Sequence, residues 1–266
     1  MPASGSKAAA RLRERAARAE LLAPLSPSAS APLRFAAALF RAQARIADAL
    51  TAVHARVPLT GDLQADATGL IEPGRALLEA AVEAGPPPLA EEARERAGED
   101  AEIFASRLHV YWIGALDGRE DYLSRALLRP YCATLTGLDL APQRPRPRSG
   151  CPACGGAASV AARRPDTDSA RRFLCCALCG GEWSVNRIRC PACGEEDPSK
   201  LPSYQSDLHR TARIEGCETC RGYVKSLDLS TDGRLVPEVD DLASLGLDLW
   251  AIEQGFKRIE PGLAGI

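Results

Sequence analysis

Eight of the ten cysteines in this 266-residue chain stand in four Cys-x-x-Cys pairs between residues 151 and 220. The pairs are Cys151/Cys154, Cys176/Cys179, Cys190/Cys193 and Cys217/Cys220. Two residues between cysteines allow a tight turn that aims both sulfurs at one point. Two such turns supply a tetrahedral set of thiolates, with metal–sulfur distances of about 2.3 Å for zinc. Because soft thiolates suit iron equally well, the pattern predicts two four-thiolate sites for iron or zinc.

The four pairs can share metals sequentially or in a cross-braced arrangement. Sequential sharing leaves intervening segments of 21 and 23 residues, which are typical of zinc ribbons. The motif Cys-Pro-Ala-Cys-Gly also occurs twice, at 151–155 and at 190–194, as expected for two copies of one ribbon. We therefore favour two sequential ribbons, with cross-bracing as the alternative.

A closed four-thiolate site leaves no open position for a substrate, so these sites indicate a structural or electron-transfer metal. The sequence contains no phosphate loop, nucleophile elbow or dinucleotide fingerprint, and we predict that the protein is not an enzyme. Cys132 and Cys175 lie outside the four pairs. Free cysteines are commonly buried as small apolar side chains, and we favour that interpretation over a reactive thiol, leaving their roles open.

Apolar residues at helical spacing predict how the chain before the cysteines folds. Leu33 to Val57 shows this spacing, and further helices are expected after Pro73, from Ile103 to Leu116 and from Tyr122 to Leu135. We therefore predict a helical domain at 33–141, preceded by a flexible N-terminal tail at 1–32. Three prolines and three arginines at 142–150 predict an extended, solvated linker.

After the linker, short strand-like runs surround the cysteines and predict a first ribbon at 151–188 and a second at 189–228. The C-terminal segment, 229–266, regains helical periodicity, which predicts a helix at about 238–254. The predicted fold class is α+β: an all-helical N-terminal domain, two tandem rubredoxin-like or zinc-ribbon modules, and a short C-terminal helix.

Composition argues against two other classes of protein. The net charge is −2 and only 5% of residues are aromatic, which disfavours binding to nucleic acid. Arginine pairs such as Arg163/Arg164 keep a zinc-ribbon protein that binds nucleic acid or the ribosome as an alternative. No apolar stretch is long enough to span a membrane, and no signal peptide is evident, so we expect a cytoplasmic protein.

Three runs of sequence resemble the FdhE family of formate dehydrogenase accessory proteins. They are CALCGGEW at 176–183, followed by the pair at 190–193; EGCETCRGYVK at 215–225; and DDLASLGLD at 240–248. The resemblance covers residues 151–260. It implies two rubredoxin-type iron sites held by the four pairs, and contact with the catalytic subunit of a membrane-bound formate dehydrogenase. That contact would occur in the cytoplasm, before export by the twin-arginine route.

Two further expectations concern how such a protein acts. Tyr223, Lys225, Asp240 and Asp241 lie in the conspicuous motifs, and we predict that they contribute to a partner-binding surface. A rubredoxin-like electron-transfer protein is the second alternative to an accessory role. The sequence makes no prediction of oligomeric state.

Overall fold

The computed structural model of the protein describes residues 6–167 and 170–265. Helices occupy the first half of the described chain. They are α1 (Lys7–Leu22), α2 (Ser30–His54), α3 (Leu63–Asp66), α4 (Thr68–Ala84), α5 (Pro87–Ala97), α6 (Ala101–Trp112) and α7 (Tyr122–Gly137). The apolar stripe of α2 that the sequence showed, including Phe35, Leu39 and Ile46, is buried in the core of this helical region. Most residues of α7 are buried, and α1, α2, α4 and α6 pack against it.

The N-terminal segment differs from the predicted flexible tail. Residues 1–5 lie outside the described residues, but Ser6 caps α1, which packs along α2. The buried face of α1 consists of Ala8, Ala9, Leu12, Ala16 and Ala19. Because small alanines let two helices approach closely, this face is stable without the bulky apolar stripe by which an amphipathic helix is usually recognised.

Two prolines also act differently from the prediction. Pro73 lies inside α4 rather than before it, whereas α4 ends at Gly85 as expected. The triple proline that follows begins α5 instead of only interrupting the chain, with Pro87 at the first helical position. Proline fits there because that position needs no backbone N–H partner. Residues 142–150 contain no helix or strand, although Trp112 Nε1 donates a 2.8 Å hydrogen bond to the carbonyl of Gln143.

The strands of the described chain form one sheet. They are β1 (Ala158–Pro165), β2 (Ala170–Cys176), β3 (Glu182–Ser184), β4 (Ser203–Gln205), β5 (Ala212–Gly216), β6 (Gly222–Asp228) and β7 (Lys257–Arg258). The sheet order is β3-β2-β1-β6-β5-β4, and β7 pairs with β6. β1–β3 and β4–β6 are the two antiparallel ribbons, and the parallel pairing of β1 with β6 joins them. The ribbons are therefore two halves of one sheet.

The predicted C-terminal helix is interrupted. It consists of α8 (Pro237–Asp240), a 3-10 turn at Leu242–Ser244 and α9 (Leu245–Glu253). The carbonyls of Asp241 and Ser244 accept hydrogen bonds from Lys225 Nζ at 2.8 and 3.2 Å. In a continuous helix such carbonyls would accept hydrogen bonds from backbone N–H groups of the next turn. Here the buried ammonium of Lys225 binds them. The predicted fold class is nevertheless confirmed: a helical region, a two-ribbon sheet with two cysteine clusters, and a short C-terminal helix.

Candidate metal centres

The eight paired cysteines gather into two clusters. Cys151, Cys154, Cys176 and Cys179 form the first site, and Cys190, Cys193, Cys217 and Cys220 form the second; within each site all four sulfurs lie within 4.8 Å of one another. This is the sequential grouping, not the cross-braced one. The closest sulfur pairs are 3.4–3.7 Å apart. A tetrahedron with metal–sulfur bonds of about 2.3 Å has edges of about 3.8 Å, so both sets fit one thiolate-bound metal ion.

The local chain path explains how each pair points its sulfurs inward. Gly155, Gly180 and Gly194, each directly after a pair, have φ of 75°, 67° and 81°. These left-handed conformations, which glycine adopts without a steric penalty, reverse the chain behind the second sulfur. Arg221 has the same conformation after the fourth pair, with φ of 55°. Backbone N–H groups then face the thiolates, as from Gly156 to Cys154 at 3.4 Å.

The first site is enclosed by the core that the helical region shares with the sheet. None of its four cysteines is more than 7% exposed, and all belong to the same apolar cluster as α2, α4 and α7. Four thiolates around a divalent ion carry a net charge of −2, which is unfavourable in such a buried place unless it is balanced. The balance comes from arginines beside the site.

Three arginines bind backbone carbonyls of the loops that carry the first site. Arg129 donates to Ala177 at 3.0 Å, Arg15 to Gly180 at 3.1 Å, and Arg144 to Cys154 at 3.1 Å. The buried carboxylate of Glu238 joins two of them, lying 2.6 Å from both Arg15 and Arg129. The first site is thus fastened to α1, α7 and α8 by charged hydrogen bonds as well as by apolar packing.

The second site lies at the surface. Cys190 and Cys217 are buried, whereas Cys193 and Cys220 are exposed. The ion pairs around it are Glu195–Lys200, Glu196–Arg189 and Glu218–Arg221. Each includes at least one largely exposed side chain, and such pairs stabilise a fold by only about 0–1 kcal/mol. The two sites therefore have the same ligands and very different surroundings.

The two unpaired cysteines are buried on different sides of the sheet. Cys175 faces the core under α9, opposite to its neighbour Cys176, and burial raises the pKa of its thiol well above the usual value. It is consequently a neutral, unreactive thiol at physiological pH. Cys132, on α7, is fully buried, and its thiol lies beside Cys154 of the first site. Sequence reasoning missed this proximity because the two are far apart along the chain.

The residues predicted as a partner-binding surface are buried, and that prediction is wrong. Tyr223 and Lys225 are 0% exposed, Asp241 is 2% exposed and Asp240 is 6% exposed. Asp240 accepts hydrogen bonds from Arg18 of α1 at 2.5 and 3.0 Å. Their charges suggested a position at the surface, but Lys225, Asp240 and Asp241 each form ion pairs with residues that are distant in sequence.

Tyr223, Lys225 and Asp241 belong to an internal network centred on Asp248. Tyr223 Oη donates to Asp248 at 2.9 Å, and Lys225 Nζ is paired with both Asp248 and Asp241. Arg258 also pairs with the two carboxylates, at 2.8 and 2.9 Å. Two cations and two anions balance, so the network holds α9 and the preceding turn against β6 and β7 without a net buried charge.

Replacing Tyr223 with phenylalanine tests the structural role of this network. We expect the free energy of unfolding to fall by about 1.5–3 kcal/mol, because a hydrogen bond to a buried carboxylate is lost. Urea titration followed by circular dichroism measures it. Tyr204→Phe is the matched control, since within the described chain the Tyr204 hydroxyl makes no hydrogen bond and only its ring packs, on Trp250 and Phe256. Equal losses in both variants would contradict the assignment.

Comparison with known proteins agrees with this architecture. Residues 150–187 match the central domain of FdhE, and residues 188–263 match its C-terminal domain. The crystal structure of the FdhE protein from Pseudomonas aeruginosa matches with a TM-score of 0.67 and 28% identity, covering 95% of this chain and 94% of that one. Residues 150–263 therefore carry the two FdhE domains, and the fold of nearly the whole chain is similar to that of an FdhE protein. The structural match extends to the helical region, which the family domains do not cover.

Curated FdhE homologues match over less than half of the chain. The homologue from Aquifex aeolicus is 38% identical over 116 residues, or 43% of this chain and 41% of its own length. The homologue from Pseudomonas aeruginosa is 37% identical over 124 residues, or 44% of this chain and 39% of its own. These matches therefore span less than half the length of the curated relatives. Among the described helices, none is both long and apolar enough to cross a lipid bilayer.

Proposed function

We propose that this protein is an accessory factor needed to form active membrane-bound formate dehydrogenase. In this proposal it binds the catalytic subunit in the cytoplasm, before that subunit is exported by the twin-arginine route. The observation that carries the proposal is the match to an FdhE structure along nearly the whole chain, together with the two cysteine sites. It acts by binding and not by catalysis, because both four-thiolate sites are closed sets of ligands.

Iron is the metal we propose for both sites, with zinc as the alternative. The donor set fits either ion, since all eight ligands are thiolates at tetrahedral separations. Iron would supply one-electron chemistry, whereas zinc would hold the fold only. Anaerobic purification followed by metal analysis and visible absorption decides between them: two irons with thiolate-to-iron charge-transfer bands are expected, and two zincs without colour would contradict iron.

The contact with the catalytic subunit must use surface other than the buried Tyr223 network. The sheet offers two edges, β3 and β4, each a strand of three residues with partly exposed side chains. An unpaired edge accepts an extended segment of a partner through main-chain hydrogen bonds. We propose these edges as the contact in place of the residues selected from the sequence.

Co-purification tests the proposed function. The tagged full-length chain is expressed with a formate dehydrogenase catalytic subunit in cells that lack their own FdhE protein. We expect the subunit to co-purify with the chain, and formate dehydrogenase activity to reach the membrane. Ser184→Pro in β3 and Ser203→Pro in β4 each remove a main-chain N–H that points away from the sheet, and we expect the variant at the contacted edge to co-purify less of the subunit. Arg187→Ala serves as the surface control. Normal membrane activity without the chain would refute the accessory role.

Exposure of the second site favours one alternative, a rubredoxin-like electron-transfer protein. Electron transfer needs close approach of a partner, and Cys193 and Cys220 offer it. Voltammetry of the iron-loaded protein distinguishes the candidates. A reversible one-electron couple together with no binding of the catalytic subunit would favour the alternative.

A further inference from the structure

The two cysteine sites differ in what must move before their metal can leave. Removal of a thiolate-bound ion requires an incoming ligand to reach it and at least one sulfur to swing away. At the first site every cysteine is at most 7% exposed and lies within the core shared with the helices. Opening it means separating that core. At the second site Cys193 and Cys220 already face solvent.

The loops of the first site are also held more firmly than the loops of the second site. Ala177 and Gly180 of the first site are bound by Arg129 and Arg15, and both arginines are paired with buried Glu238. Breaking such buried, charge-assisted contacts is costly. The loops of the second site carry surface ion pairs, such as Glu218–Arg221, which restrain them weakly.

The apolar cores of the described chain also do not include the cysteines of the second site. Its cysteines belong to none of the apolar clusters of the described residues, whereas all four cysteines of the first site belong to the largest one. The strands β5 and β6, which flank the loop that carries Cys217 and Cys220, remain tied to the rest of the sheet through the pairing of β6 with β1. Loss of the second metal should therefore loosen two turns and leave the sheet intact.

From these differences we propose that the second site is an exchangeable metal site. It accepts and releases a thiolate-preferring ion, such as Zn²⁺ or Fe²⁺, while the protein stays folded, and the first site keeps its metal permanently. Exchange proceeds by ligand substitution without any change of oxidation state. Cys193 and Cys220 would be the ligands that an incoming ligand displaces, and their freed thiolates would take up protons. This inference does not depend on formate dehydrogenase being the partner.

Chelation of the zinc-loaded full-length protein tests the proposal. Excess EDTA is added, and bound zinc is counted by native mass spectrometry while iodoacetamide labels freed cysteines for peptide mapping. We expect one zinc to leave about tenfold or more faster than the other, because local opening of a surface turn is more frequent than opening of a core. Label should appear first on Cys190, Cys193, Cys217 and Cys220, with the helical circular dichroism unchanged.

Cys193→Ser provides the deciding variant. It should remove the fast phase and leave one slowly released zinc in a folded protein. Cys175→Ala, which removes a buried thiol that faces the core under α9 and away from both sites, is the control and should retain both phases. Adding Zn²⁺ after the fast phase should restore two bound ions. Release of both ions in a single phase, first labelling of the cysteines at 151–179, or helical unfolding during the fast phase would each overturn the proposal.

Discussion

Replacing Cys154 with serine is expected to disrupt much of the protein, whereas the same change at Cys193 should have a local effect. Structural zinc sites stabilise small domains by about 10–16 kcal/mol, which equals or exceeds the whole stability of a typical domain. Cys154 is 0% exposed and lies where α7, the linker and the first ribbon meet. Without it, the buried arginines nearby would face an incomplete and disordered loop.

Hydrogen exchange with mass spectrometry measures this difference segment by segment. In Cys154→Ser, protection should fall in β1, β2 and the adjoining end of α7, and the thermal transition should move down by tens of degrees or broaden. In Cys193→Ser, added exchange should be confined to the turns at 190–195 and 217–222. Equal and widespread loss of protection in the two variants would show that the second site is as central to folding as the first.

Local spacing explains why the metal sites were predictable from sequence. Two cysteines separated by two residues, with glycine next, define a turn whose geometry depends on few other parts of the chain. The structure gives that turn at Cys151, Cys176 and Cys190, with the expected positive φ at the following glycines. The long apolar stripe of α2 was equally informative, because helical periodicity is read within one segment.

The features that sequence did not predict all depend on distant partners. Lys225 and Asp248 are polar residues of the kind usually found on a surface, and only the packing of α9 on β6 makes them an internal pair. The union of the two ribbons depends on pairing of β1 with β6, whose residues are more than sixty positions apart. The helix α1 has its polar anchors, Glu238 and Asp240, at the opposite end of the chain.

Glu238 is the point at which these distant contacts converge on the first site. Burial raises its pKa, but attraction to Arg129 and Arg15 outweighs burial and lowers the pKa from 4.5 to about 2. Glu238→Gln should therefore reduce the free energy of unfolding by about 3–5 kcal/mol at neutral pH, since two buried guanidinium groups lose their carboxylate. Glu196→Gln, which removes an exposed pair with Arg189, should cost about 1 kcal/mol or less.

The pH dependence of the stability lost in Glu238→Gln distinguishes the effect of the Glu238 charge from the effect of its packing. Because the folded pKa of Glu238 lies below its unfolded value, its contribution is fully present above pH 4.5 and declines as pH falls toward 2. A shift of this size corresponds to about 3 kcal/mol. Thiolate-bound metal leaves both proteins alike as the pH falls, so urea titrations compare the two proteins at each pH, and the stability difference between wild type and Glu238→Gln should shrink across that window. A difference that stays constant would mean that the side chain acts through packing alone, and that charge does not fasten α1 and α7 to the first metal site.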